Sequence, residues 1–381
     1  MTAQKKKVLV AGASGLVGHA AVAHFASLPD WEVVGVSRRV PDDLPGAKLL
    51  SVDLTDAAAS ERAFGGLSDV THLVYAALKE LPGLMPGWLD EENIQTNGLM
   101  LRNVYEPLAR AAGDGLEHIS LLHGTKAYGG HVLGREGQHI PLRERDPRRP
   151  HRNFYFVQED YLLDKQAAGA QWGMTVFRPT VIYGDAGGNN MNPIPAIAAY
   201  AALLREQGEP LHFPGRGDQP VLREAVDADL VARALAWAAT SPAARGGTYN
   251  LTNGDIFMWD FVWPAIAETL GMEPGERRPM SLLEELPKRN DEWAAIVEKY
   301  GLRVSKDIVE FVGYNSLVYA DNVLSEQSRG PVPTLNSTIA AREAGFPDCI
   351  DSEDMFRKWF ARIQQTRILP TAEEQRAARA G

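Results

Sequence analysis

The hydrophobic pattern of the first 180 residues alternates between two periods. Short apolar runs at Val8–Ala11, Glu32–Ser37, Leu49–Val52, Thr71–Ala77, His118–Leu122 and Met174–Arg178 read as buried strands. Between them lie segments with helical spacing. These are Gly15–Leu28, Tyr155–Ala170 and Glu92–Ala112, where Leu99, Val104, Leu108 and Ala111 are predicted to form one apolar stripe. Strands separated by helices predict parallel β-α-β units with both sheet faces covered. The pattern changes after Gly184. Residues 185–192, rich in glycine and asparagine, read as a loop. Ala196–Gln207 and Asp227–Thr240 read as helices and Thr248–Leu251 as a strand. Helices dominate from Gly254, and Pro331–Thr334 reads as a turn.

Gly12-Ala13-Ser14-Gly15-Leu16-Val17-Gly18 follows the first strand and opens the first helix. In that context G-x-x-G-x-x-G is a dinucleotide fingerprint. The glycines permit a tight turn and close approach of backbone to a pyrophosphate, and the helix N-terminus offers free N–H groups. Gly12, Ser14, Gly15, Leu16, Val17 and Gly18 are therefore candidate cofactor contacts. The second strand ends at Ser37-Arg38-Arg39, where NAD binders usually carry a carboxylate for the ribose 2′-hydroxyl. Two guanidiniums suit a 2′-phosphate instead, so NADP(H) is the predicted cofactor. Asp53 and Leu54 are placed at the adenine, and Tyr75 and Ala76 on the path to the ribose. Asn97 is read either as a cofactor contact or as a structural hydrogen-bonding residue.

The fold class predicted from this pattern is α/β: a Rossmann-type, doubly wound parallel sheet with a smaller, mostly helical C-terminal lobe. Residues 1–185, with 224–252 returning to them, are assigned to the dinucleotide-binding domain. Residues 186–223 and 253–370 are assigned to a substrate-binding lobe, and 371–381, charged and alanine-rich, to a loose tail. The cleft between the two parts is the expected ligand site. Phe257, Trp259 and Trp263 are expected in the core of the helical part.

Composition narrows the reading. The chain has 381 residues, 45% of them hydrophobic, enough for a sizeable core. A formal net charge of −10 argues against nucleic acid as a partner, and the run Lys5-Lys6-Lys7 is too short to reverse that. The single cysteine, Cys349, excludes internal disulfides and a cysteine-ligated metal site; no metal is predicted. No stretch reaches the length of a membrane span, and the N-terminus lacks the apolar core of a signal peptide. A cytoplasmic protein without a membrane partner is the expectation.

The candidate chemistry centres on Asn153-Phe154-Tyr155-Phe156-Val157-Gln158-Glu159-Asp160. Many nicotinamide enzymes of the short-chain type carry Tyr-x-x-x-Lys on one helical face. Here Glu159 stands in the lysine's place, where its charge would raise the phenol pKa. Lys126, in Leu122-His123-Gly124-Thr125-Lys126-Ala127-Tyr128-Gly129, is the candidate replacement. Both Tyr155 and Lys126 lie beyond the carboxyl ends of neighbouring strands, where open α/β sheets place ligands. His123 is read as structural, and Arg143, Arg145, Arg148, Arg149 and Arg152 as a solvated loop face.

With these residues the chain resembles the progesterone 5β-reductase / iridoid synthase-like enzymes, an extended branch of the short-chain dehydrogenase/reductases. The likeness rests on the Gly12–Gly18 turn, Arg38-Arg39, the isolated Lys126 and the Asn153–Asp160 block. It also rests on Arg178-Pro179-Thr180-Val181-Ile182-Tyr183-Gly184, Asp227–Leu230 and Tyr249–Asp255, and it spans about residues 7 to 370. It implies an extended short-chain fold, NADP(H) and a homodimer. It also implies Tyr155 and Lys126 as catalytic residues that touch the cofactor, with Pro179, Val181 and Ile182 running past the nicotinamide. Two departures stand out. Phe156 replaces a common second tyrosine, and the tryptophan that plant members carry soon after strand four has no evident counterpart. The fold and cofactor thus transfer better than the substrate.

The implied reaction is reduction of the C=C bond of an α,β-unsaturated carbonyl compound. NADPH would deliver hydride to the β-carbon, and the Tyr155 hydroxyl would hydrogen-bond the growing enolate oxygen. Lys126 would supply positive charge beside the phenol. The same site would also suit an NADPH-dependent aldehyde or ketone reductase. A nucleotide-sugar epimerase or dehydratase is disfavoured by Glu159. A redox sensor that binds NADP(H) without turnover is the reading from a different class. In the enzymatic readings the partner is a small molecule, and for the reductases a carbonyl or enone compound.

Overall fold

Seven parallel strands form the central sheet in the computed structural model, which describes residues 5–134, 137–187, 189–217, 221–325 and 334–380. The first six are β1 (Lys6–Ala11), β2 (Trp31–Ser37), β3 (Ala47–Ser51), β4 (His72–Tyr75), β5 (His118–Leu122) and β6 (Gly173–Pro179). The strand Thr248–Leu251 completes the sheet beside β6, and the order from the other edge is β3-β2-β1-β4-β5-β6. Val8 of β1 pairs with Val33 of β2 on one side and with His72 of β4 on the other. Strand order therefore reverses at β1, and such switch points are where open sheets bind ligands beyond the strands' carboxyl ends.

The helices of this region are α1 (Leu16–Ser27), α2 (Ala57–Phe64), α3 (Met85–Leu89), α4 (Glu91–Ala112), α5 (Gly130–Leu133) and α6 (Phe154–Ala167). Side chains alternate along a strand. Leu9, Ala11, Val34, Leu73, Ile119, Leu121 and Val176 consequently share one core with Phe64 of α2, Leu101, Val104 and Leu108 of α4 and Leu162 of α6. Val8 and Val10 are left to the other face, also fully buried, and α1 packs there with the helix Ala228–Thr240. Burial on both faces explains the continuous apolar runs. Asp90 caps α4 by accepting from Asn93 N, and Asn153 caps α6 by accepting from Tyr155 N.

Two expectations need correction here. Leu99 is 45% exposed and does not join the buried stripe of α4. Its step of five residues to Val104 is a rotation of about 140°, which carries it off that face. The presumed loose tail instead forms the helix Ala372–Ala380, opened by Thr371 hydrogen-bonding Glu374, with Gln375 buried. Residues 331–333 of the expected turn lie outside the described residues.

The chain divides into two compact units. One comprises Met1–Thr180, Ala228–Thr252 and Thr334–Cys349 and contains the sheet. Its late segment is held by backbone bonds from Leu142 N to Leu335 O (2.7 Å) and from Ser337 N to Leu142 O (2.9 Å). The other comprises Val181–Asp227, Asn253–Pro333 and Ile350–Gly381. It is mostly helical, around an aromatic core that includes Phe257, Trp259 and Trp263, as expected. Among the described residues no helix is long and apolar enough to cross a membrane.

Two histidines sit at the amino ends of β4 and β5. His72 is buried with its Nε2 2.9 Å from Ala239 O. His118 lies 6.4 Å from it, and neither of its ring nitrogens has a hydrogen-bond partner among the described residues. Burial pushes His72 down to about 4 and His118 down to about 3. In the unfolded chain both take up protons near 6.5. The unfolded state therefore binds more protons between these limits, so stability is full above pH 6.5 and falls as pH drops toward 4. The expected loss is on the order of 3 kcal/mol for His72 alone. Denaturant titrations at stepped pH check this, and His118→Leu is expected to flatten the slope. An unchanged slope would mean that other groups carry it.

Candidate active site

The glycine turn is shaped by what a Cβ would strike. Gly12 has φ +95°, and a Cβ there would lie 2.8 Å from the backbone of Ala76 and Ala77. A Cβ on Gly18 would lie 2.0 Å from Gly12 O. Both glycines are thus needed to bring β1, α1 and the exit of β4 together. Gly15 precedes α1 with no side-chain cap, so the first-turn N–H groups of Leu16, Val17 and Gly18 are open to an anion. Ser14 stands in the same turn. These features fit a pyrophosphate.

At the end of β2 the Ser37 hydroxyl donates to Arg39 O. Arg38 and Arg39 are exposed, and neither guanidinium forms a hydrogen bond or salt bridge with another described residue. Asp53 accepts from Thr55 N and Oγ1 (2.9 and 2.8 Å), which holds its carboxyl below the usual range. Leu54 is buried, and its carbonyl accepts from Asn103 Nδ2 at 2.8 Å. Tyr75 turns its ring into the core, so that side chain is spent on packing; Ala76, whose carbonyl faces Gly12, is the residue of this pair at the turn. Asn97 takes its structural role. Its Oδ1 accepts from Lys79 N (2.9 Å), and its Nδ2 donates to Lys79 O (3.0 Å) and Asn93 O (2.9 Å). That leaves its amide committed to fastening the segment after β4 onto α4.

Lys126 lies on a short 3-10 turn after β5, Thr125–Tyr128, and Tyr155 in the first turn of α6. Asn153 joins them. Its Oδ1 accepts from Tyr155 N (3.1 Å) and its Nδ2 donates to Lys126 O (3.3 Å). The Tyr155 ring stacks on His123 with centroids 4.7 Å apart and planes 13° apart. Its hydroxyl rests against main chain, 3.1 Å from where a Cβ on Gly124 would be, and Pro179 O is 3.7 Å from that same point. The Lys126 ammonium is 5.7 Å from the Tyr155 ring centre. It has no hydrogen-bond partner among the described residues. Burial lowers its pKa to about 8, against the raising effect of Glu80.

His123 is fully enclosed, and burial pushes it well below its ordinary value. It is therefore neutral near pH 7 and serves as the plate under Tyr155. Glu159 is not left to act on the phenol alone, since its Oε2 accepts from Arg148 at 2.7 Å. Arg148 also bonds Asp160 (2.7 Å) and lies 4.4 Å over Phe156. Arg149 donates to Gly134 O and Arg152 to Glu91. Arg148 and Arg152 are exposed, as expected of a solvated face, and the three arginines also tie their loop to its neighbours. Val181 and Ile182 fall in the second unit.

Two residues at this site escaped the sequence reading. Trp88 of α3 places its ring centre 3.9 Å from the Lys126 ammonium. Glu80 has a fully buried side chain, with Oε1 3.7 Å from that ammonium. No local pattern marks either one, because they meet Lys126 only through the fold. Trp88 also puts a tryptophan after β4, where the sequence offered none nearby.

A sheet reversing at β1, a glycine turn opening the first helix and a tyrosine–lysine pair beyond the strands' carboxyl ends fit an oxidoreductase of the extended short-chain class that uses a nicotinamide dinucleotide. Comparisons with known proteins agree. Residues 8–252 match the NAD dependent epimerase/dehydratase family. (S)-8-oxocitronellyl enol synthase ISY2 of Nepeta cataria is 32% identical over 97% of this chain and 93% of its own length. The 3-oxo-Delta(4,5)-steroid 5-beta-reductase of Arabidopsis thaliana is 31% identical over 95% of this chain and 92% of its own. UDP-glucose 4-epimerase of Thermus thermophilus, solved with NAD, shares the fold at TM-score 0.60 and 19% identity, over 98% of this chain and 99% of its own. The chain belongs to the NAD dependent epimerase/dehydratase family and, within it, to the progesterone 5β-reductase / iridoid synthase-like branch.

Proposed function

We propose that this protein is an NADPH-dependent ene-reductase that saturates the C=C bond of α,β-unsaturated carbonyl compounds. The observation that carries the reading is the Tyr155 hydroxyl, fixed against the main chain at Gly124 with the buried Lys126 ammonium nearby. The names of its relatives, an enol synthase and a steroid 5-beta-reductase, support a C=C rather than a C=O target.

The residues present suit the dinucleotide. The Gly12–Gly18 turn and the open N–H groups of α1 would hold the pyrophosphate, and Arg38 and Arg39 the 2′-phosphate. When bound, the cofactor supplies a hydride. The Tyr155 hydroxyl donates to the substrate's carbonyl oxygen as negative charge grows there, a donor already in place before reaction. Lys126 adds positive charge beside the phenol and favours that build-up. His123, neutral near pH 7, fixes the tyrosine ring by stacking. A full proton transfer to the oxygen is not required of Tyr155, because the enolate's α-carbon can take its proton from water.

Turnover of NADPH with a panel of enones, each beside its saturated ketone and an aldehyde, tests the reading. Saturated carbonyl products are expected. Alcohol products would make the protein a carbonyl reductase with the same residues, and tight NADPH binding without any turnover would favour a sensor. Gly124→Ala gives a sharper check. Its backbone is extended (φ −179°, ψ −179°) and accepts any residue, so only the 3.1 Å contact with the Tyr155 hydroxyl is disturbed. Displacing that donor by a fraction of an ångström is expected to lower kcat by about 10-fold or more with the fold intact by circular dichroism. Unchanged kcat would separate the hydroxyl's position from the rate.

A further inference from the structure

We propose that Glu80, held in place by Trp88, is a positioning residue that keeps Lys126 charged and aimed at the site. This rests on the proposed roles of Tyr155 and Lys126. A buried carboxylate is costly unless paired and hydrogen-bonded. Burial raises the Glu80 carboxyl above its ordinary value, and two neighbours counter that: both its oxygens accept from Trp88 Nε1 (3.1 and 2.7 Å) and Oε1 faces the Lys126 ammonium at 3.7 Å. Trp88 therefore acts twice: its N–H fixes the carboxylate, and its ring face carries the ammonium at 3.9 Å.

The 3.7 Å separation is longer than a hydrogen bond. Glu80 consequently supplies charge without consuming the ammonium's three N–H donors, and no described residue accepts from them. The pair stays within ion-pair range but outside hydrogen-bond contact. The ammonium thereby keeps its donors for a ligand, while the carboxylate offsets the cost of burying its charge. The arrangement answers the question raised by Glu159. With the lysine moved off the tyrosine's helix, its charge needs a new local partner, and the segment after β4 provides one.

The other groups facing Lys126 do not substitute for Glu80. Tyr155 and Phe154 approach from α6, with ring centres 5.7 and 5.8 Å from the ammonium. His131 of α5 is held neutral by burial, its pKa pushed down to about 4. His151 contacts the Lys126 carbonyl rather than the ammonium (3.2 Å). Among the described residues, Glu80 is the carboxylate within ion-pair distance.

The test is Glu80→Gln, nearly isosteric, followed by the pH dependence of kcat/KM and by a nitrogen NMR titration of Lys126, assigned through Lys126→Arg. Without the carboxylate, Lys126 loses its proton at lower pH. The alkaline limb is expected to move down by about one pH unit or more, with kcat/KM about tenfold lower at pH 8 and close to wild type at pH 6. In a Lys126→Arg background, Glu80→Gln is expected to move no limb, since the guanidinium does not titrate there. Trp88→Phe keeps an aromatic ring in α3 but removes the indole N–H together with its five-membered ring. It is expected to shift the limb in the same direction by less, and it reads the coupling even if Glu80→Gln does not fold. An unshifted Lys126 titration, or a loss of rate equal at every pH, would overturn the proposal. The NMR titration needs no substrate, so it decides the role of Glu80 even if the ene-reductase reading fails.

Discussion

Tyr155→Phe is expected to lower kcat on an enone by about 10²–10³, the usual effect of deleting one oxyanion donor. The variant removes a single oxygen. Its ring would still stack on His123 and pack edge-on against Phe154, whose centre is 4.5 Å away. Asn153 would still bridge residues 153–155 to Lys126, because it bonds backbone atoms of both neighbours. The melting temperature and NADPH affinity are therefore expected to stay near wild type, which isolates the chemistry. Kinetics of NADPH oxidation with parallel binding titrations would show it. Near-normal turnover with NADPH still bound would remove Tyr155 from the mechanism.

The second large effect is expected in cofactor choice. Replacing both Arg38 and Arg39 with alanine should weaken NADPH binding by about 10²-fold while NADH binding changes little. A hydrogen bond to a charged group contributes about 1.5–3 kcal/mol. Exposure at the end of β2 reduces that through solvent screening, which is why the estimate stays at the lower end for two residues. Among the described residues neither guanidinium is hydrogen-bonded or ion-paired to a carboxylate, although Asp53 feels the charge of Arg38, so little of the loss would be masked by rearranged ion pairs. Equal weakening of NADPH and NADH would show that the arginines act on the turn rather than on a 2′-phosphate.

Much of the sheet could be read from the chain because its strands are buried on both faces. His118–Leu122 and Thr248–Leu251 end where the apolar runs end. The glycine turn was equally plain, and the contacts at Gly12 and Gly18 give its physical reason. Glu159 in the lysine's usual place pointed to Lys126 as the substitute, and the fold does bring the Lys126 ammonium within 5.7 Å of the Tyr155 ring centre. What stayed hidden depends on contacts between distant segments. Glu80 and Trp88 reach Lys126 from beyond β4. Residues 334–349 join the first unit through Leu142. Gln375 turns an alanine-rich end into a docked helix by bonding Ala202 O and Glu206. Tyr75 sits at the carboxyl end of β4, but strand alternation directs its ring into the core instead of the site.

The central claim is that hydride reaches the carbon β to a carbonyl. The most direct measurement uses NADPH carrying deuterium at the transferring position, an enone substrate and NMR of the product. The account predicts deuterium on the β-carbon of a saturated ketone or aldehyde, with the carbonyl retained. Deuterium on the former carbonyl carbon, in an unsaturated alcohol, would contradict it.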